Sequence, residues 1–212
     1  MKEQQTTQRR LFLKASGILS AGLLLPNLSM ASCTSPLVDG NIHQFGKREG
    51  YTDQISILVS MMDWMRATVL RSVEGISQKE LDFLLDKDSN SIGAMLMHLA
   101  ATERFYQIHT FEGRKWGDFD KKDTDRWNVG SRLGDKARNE IKGKPILYYT
   151  DQLEEVREFT LTELKNRDDN WLMQSTDFFG NQPTNNYCKW FHVVEHESNH
   201  NGQIKYIKSR AV

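Results

Sequence analysis

Cysteine is almost missing. Only Cys33 and Cys188 occur among the 212 residues, which leaves no disulfide framework and no Cys-x-x-Cys metal or redox motif. Charge of one sign is not in excess either, because 28 Lys and Arg residues are cancelled by 28 Asp and Glu residues. The basic footprint of a nucleic-acid binder is therefore absent, and no nucleic-acid partner is expected. The apolar run from Ala15 to Leu25 ends at Pro26 and is too short for a comfortable membrane span. Internal repeats, low-complexity runs and alternating strand patterns are lacking as well. What remains is a chain that is 38% hydrophobic and 10% aromatic, enough to bury a real core in one domain of ordinary size with extras.

The extras lie at the N-terminus. Gln8-Arg9-Arg10-Leu11-Phe12-Leu13-Lys14 followed by the short apolar run resembles a twin-arginine export signal, with Gln8 where Ser or Thr is usual. Ser29-Met30-Ala31 suits a small-residue cleavage site, and Met30-Ala31-Ser32-Cys33 resembles a lipoprotein box in which Cys33 would be acylated. Residues 1–33 are thus expected to be an export signal and residues 34–50, with Pro36, Gly40, Gly46 and Gly50, a tether. The expected location is periplasmic or membrane-anchored, with membrane contact only through the signal or a lipid.

From residue 51 onward the pattern is helical. Ile55, Leu58, Met62, Met65 and Val69 recur at three- and four-residue spacing, with Thr52 or Asp53 as cap. Ser77-Gln78-Lys79-Glu80 is a capping box on a short helix. A second long helix begins at Ser91 and carries Ile92, Met95, Leu96, Leu99 and Tyr106 on one face, with His98 at its edge. Residues 114–144 read as a charged, glycine-punctuated crossover or lid, with a short helix over 133–141. A third long helix over 146–167 carries Leu153, Val156, Phe159 and Leu164, with Thr150 as its cap. Residues 168–185 read as a hairpin or aromatic loop, and the last long helix follows. The expected fold is all-α: a four-helix bundle with a long crossover between helices two and three.

The last helix carries His192, His196 and His200 at four-residue spacing. Neighbouring pairs lie about 6 Å apart along the axis and can share one metal ion, whereas His192 and His200 are about 12 Å apart and cannot. The pair is therefore 192 with 196 or 196 with 200, and a third ligand must come from another helix. In a bundle whose sites are built inward from facing helices, His98 can supply it. His109 stands about 16 Å from His98 along the second helix, so one ion cannot use both.

His98-Leu99-Ala100-Ala101-Thr102-Glu103, together with His192 through Ile204 in the last helix, resembles the DinB-like superfamily over residues 51–210. The resemblance implies a four-helix bundle that binds one divalent metal through His98, His196 and His200, with hydrolase or thiol-transferase chemistry on a small-molecule substrate. Zinc or nickel is favoured over iron or manganese. His192 would be a neighbour of the ligands rather than a ligand. Glu197 is the candidate proton acceptor, while Glu103 and Glu195 are expected at the surface or behind the ligands. His196-Glu197-x-x-His200 also matches the zinc-peptidase motif. Only 12 residues follow His200, however, and Gln203 and Tyr206 stand where a metzincin has Gly and His. The opposing class is a non-catalytic bundle that the metal stabilises, and a homodimer is an allowed assembly.

Overall fold

The computed structural model describes residues 40–211. The export-signal and Cys33 readings, with the first part of the tether, lie outside the described residues. Among those residues the chain is mostly helical, as expected for an all-α protein. Its elements are α1 (Asp53–Ser72), α2 (Gln78–Leu81), α3 (Ile92–Thr110), α4 (Lys121–Arg132), α5 (Gly134–Glu140), α6 (Ile146–Lys165), α7 (Asp169–Met173), β1 (Ser175–Asp177), β2 (Pro183–Asn185) and α8 (Asn186–Lys208). The two strands form an antiparallel hairpin in which Thr176 faces Thr184. Helix α1 packs on α8, and α3 packs on α4, α6 and α8. No described helix is long and apolar enough to cross a membrane.

The helix stripes point inward as their spacing predicts. Ile55, Leu58, Met62, Met65 and Val69 of α1 are buried, as are Ile92, Met95, Leu96, Leu99 and Tyr106 of α3. Each such side chain contributes about 1.5–3 kcal/mol on burial. Phe159 departs from the expectation: it is 42% exposed, with the Arg104 guanidinium 5.7 Å from its ring.

The helix ends are more individual. Ser77 forms the expected capping box with Glu80, and Ser91 and Asn185 accept backbone N–H groups of α3 and α8. Thr150 is not a cap. Helix α6 starts at Ile146 after Pro145, whose fixed φ suits a helix entry, and the Thr150 hydroxyl instead donates to the Leu147 carbonyl within the helix. Thr52 holds the N-cap position of α1, but its hydroxyl donates to Asp169. That carboxylate, from α7, accepts the N–H groups of Gln54 and Ile55, placing a negative charge at the positive end of α1. The end of the expected tether is also docked on α1: Arg48 bonds to Ser60 Oγ at 3.0 Å and Asp63 Oδ2 at 2.7 Å.

At the centre each long helix contributes one buried charge. Arg66 of α1 contacts Glu103 of α3 at 2.7 Å and Glu197 of α8 at 2.6 Å. Arg157 of α6 contacts the same two carboxylates, each at 2.9 Å. The remaining donors are used as well, Arg66 Nη1 on the Leu153 carbonyl and Arg157 Nη1 on that of Met62, while Thr160 donates to Glu103 Oε1 at 2.7 Å. Two cations and two anions cancel, which is what permits ions this deep in an apolar interior. Glu103 is thus a core charge, contrary to the expectation that it lies at the surface or behind the ligands.

Candidate metal centre

His98 projects from the edge of α3 toward α8, where His196 and His200 stand one turn apart. Its ring centroid lies 4.9 Å from that of each partner, and those two lie 4.6 Å apart. One ligand atom from each falls within 4.8 Å of the others, so the three could hold a metal ion. Of the two pairings open by spacing, the structure brings the 196 and 200 pair to His98. His192 is on the same stripe, with its ring 5.3 Å from His196, but its Nδ1 is hydrogen-bonded to the Tyr106 hydroxyl at 2.9 Å.

Two of the three rings are oriented from behind. His98 Nδ1 donates to the Gly130 carbonyl at 3.0 Å, and His200 Nδ1 donates to Gln203 Oε1 at 3.1 Å. Each bond fixes the tautomer that leaves Nε2 with a lone pair. His98 Nε2 accepts from His196 Nε2 at 2.8 Å. Burial, then repulsion from His200, pushes the His98 imidazole down to about 4, and burial followed by its histidine neighbours takes His196 to about 3. Burial lowers His200 too. All three are neutral near pH 7, the protonation state that metal ligation needs. Three neutral imidazoles, two of them with anchored tautomers, therefore fit a divalent ion.

Gly130 explains how α4 reaches His98. A β-carbon there would lie 3.1 Å from the Met97 carbonyl oxygen and 3.2 Å from its carbon, so the absence of a side chain at residue 130 lets α4 approach the α3 backbone a few tenths of an ångström closer than an alanine would. Helix α4 ends one turn later at Leu133, which holds φ 54° and ψ −151°, a conformation otherwise reserved for glycine.

Glu197 is not where a proton acceptor would stand. It is 2% exposed, its Oε1 is shared between Arg66 and Arg157, and the cavity beside the histidines is lined without it. The peptidase-like His-Glu-x-x-His spacing thus brings the histidines together and turns the glutamate into the ion cluster. Glu195 is exposed.

That cavity, about 640 Å³, has His98 and His196 in its wall, with His192, Tyr106, Trp116 and Phe178 among the other lining residues. His109 lines it too, stacked on Phe178 at 4.7 Å, with Nδ1 donating to the Arg114 carbonyl at 2.8 Å. Gly130 and Gln203 are the functional residues that spacing did not reveal. The signal for the first is faint: Asp123, Trp127 and Gly130 at four- and three-residue spacing form the buried stripe of α4.

Residues 57–211 match the model of the family described as Mycothiol-S-transferase. The search of curated proteins returned no match.

Proposed function

Because the chain belongs to the mycothiol S-transferase family, we propose that it is a metal-dependent thiol S-transferase that joins a small thiol of the mycothiol kind to an electrophile. The observation that carries this reading is the convergence of His98, His196 and His200, of which His98 and His196 stand in the wall of a cavity large enough for small-molecule substrates. The donor set suits zinc or nickel. A divalent ion held there would keep a thiol as its thiolate near neutral pH.

The chain's own residues do the rest. Gly130 and Gln203 hold two of the imidazoles in orientation, and the rings of the cavity give the nucleophile an apolar neighbourhood. In the reaction the S–H bond loses its proton to solvent and the sulfur forms a bond to the electrophilic carbon. The leaving group departs with its electron pair, or an unsaturated acceptor takes up a proton. Glu197 acts in positioning α8 rather than in proton transfer, which removes the base a peptidase would need. The bundle topology with its long crossover, and export under a twin-arginine-type signal, belong to the same proposal; Arg9→Lys with Arg10→Lys should retain the precursor in the cytoplasm.

The test is metal content and S-transfer together. Wild-type protein should hold about one divalent ion per chain and conjugate mycothiol to monobromobimane in a chelator-sensitive way. His98→Ala and His200→Ala should each lose most of both. Full metal content without metal-dependent transfer to any acceptor would favour an ion that only stabilises the fold.

A further inference from the structure

The cavity follows α3 from His98 to His109, about 16 Å of helix axis, and its two ends differ in chemistry. Near His98 and His196 the wall includes Thr102 and Ser131. Farther along it becomes a wall of rings. Trp116 meets Tyr106 at 5.2 Å, Phe178 at 5.1 Å and Phe105 at 6.4 Å, each edge to face. The wall begins close to the candidate metal centre, since Phe179 packs 5.2 Å from His192, itself one ring away from His196.

Helix α3 supplies part of this wall, while Trp116, Phe178 and Phe179 come from connecting segments. Trp116 remains 42% exposed despite its five ring neighbours. A large ring left at a cavity edge marks a binding surface better than a core position. His109 ties these segments together. Its Nδ1 bond to the Arg114 carbonyl anchors the loop two residues before Trp116, and its stacking on Phe178 anchors the hairpin. The charged residues lining the cavity, Lys115 and Asp177, oppose one another in sign and select neither charge.

Resting on the thiol-transferase reading, we infer that this aromatic end is the subsite of the acceptor, a flat, uncharged electrophile of about two rings. It seats its faces against Trp116, Tyr106 and Phe178 and directs its reactive carbon toward His196. Aromatic walls reward a planar partner beyond the area it buries, and the cavity's length leaves the Thr102 and Ser131 end to the thiol.

The experiment compares two alcohols with the same carbon skeleton, flat 2-naphthol and puckered decahydro-2-naphthol. Each is titrated calorimetrically into the chelator-treated full chain with no thiol present. The naphthol should bind about tenfold more tightly, the yield of one or two ring contacts. Trp116→Ala should abolish most of that preference, and His109→Ala should weaken naphthol binding about fivefold by releasing the Trp116 segment. Circular dichroism verifies folding, and Phe178→Leu replaces any variant that fails it. Equal binding of the two alcohols by wild-type protein overturns the proposal, as does a preference that survives Trp116→Ala. Displacement of naphthol by mycothiol in the metal-free protein also overturns it, because the ring wall would then belong to the thiol. Metal enters none of these titrations and mycothiol only the displacement, where no transfer is read, so their outcome stands apart from success or failure of the S-transfer assay.

Discussion

Gln203 is exposed, yet its side-chain oxygen is what turns His200 toward its two partners. Gln203→Leu removes that acceptor without touching a ligand or the core. Loss of such a supporting bond weakens metal binding by about 10- to 100-fold; a chelator competition should show this drop while the melting temperature of metal-free protein stays near wild type. Glu197 calls for the opposite expectation. Glu197→Gln leaves Arg66 and Arg157 with one carboxylate between them, and should cost roughly 3 kcal/mol of unfolding free energy, as broken buried pairs do. Denaturant melts would show it, and an unchanged midpoint would refute the role given to this residue. The histidines were legible because four-residue spacing maps directly onto one helix face. Glu197 was not, since its partners lie 131 and 40 residues away in sequence and the local motif points to catalysis instead.

At the scale of elements, the four long helices could be read from periodicity because each buries apolar residues at three- and four-residue spacing, even where buried polar groups interrupt the stripe, as Glu197 and His200 do in α8. Helix α4 could not. It buries only Asp123, Trp127 and Gly130, too narrow a stripe to stand out from a charged segment, and its place is set by close backbone approach together with the core ring of Trp127 and the Asp123 pair with Arg104. This makes Gly130 the sensitive position. Gly130→Ala should push α4 away from Met97 and lengthen or break the His98 bond to the residue-130 carbonyl. Both the melting temperature and the metal affinity should fall, the latter by at least about tenfold. A variant with wild-type affinity would show that His98 does not depend on α4. Thr150 misled as a cap because Pro145 starts α6 earlier, whereas Thr52 does hold the N-cap position of α1 and only the acceptor for the first N–H groups comes from α7.

Over the whole molecule, the ion cluster sets the response to acid. Burial by itself would raise the Glu103 carboxyl, but Arg157 and then Arg66 hold it below its ordinary 4.5. A carboxylate depressed in the folded state contributes stability that is present above the unfolded value and lost as pH falls through the folded one. The unfolding free energy should therefore hold near neutrality and decline below about pH 4.5, as the unfolded chain takes up the proton first. Glu103→Gln should be less stable at pH 7 and show a shallower decline; an equally steep decline would assign acid sensitivity to other groups.

The carboxylate of Asp169 closes the first turn of α1 across more than a hundred residues of chain. The amide hydrogens of Gln54 and Ile55 are then protected by an element that helix formation in α1 cannot provide. Their exchange with deuterated solvent should keep pace with the undocking of α7, while amides farther along α1 wait for larger openings of the core. In Asp169→Asn the two early amides should exchange faster, with the middle of α1 unaffected. The start of the first long helix would thus serve as a local gauge of whether the last quarter of the chain is in place.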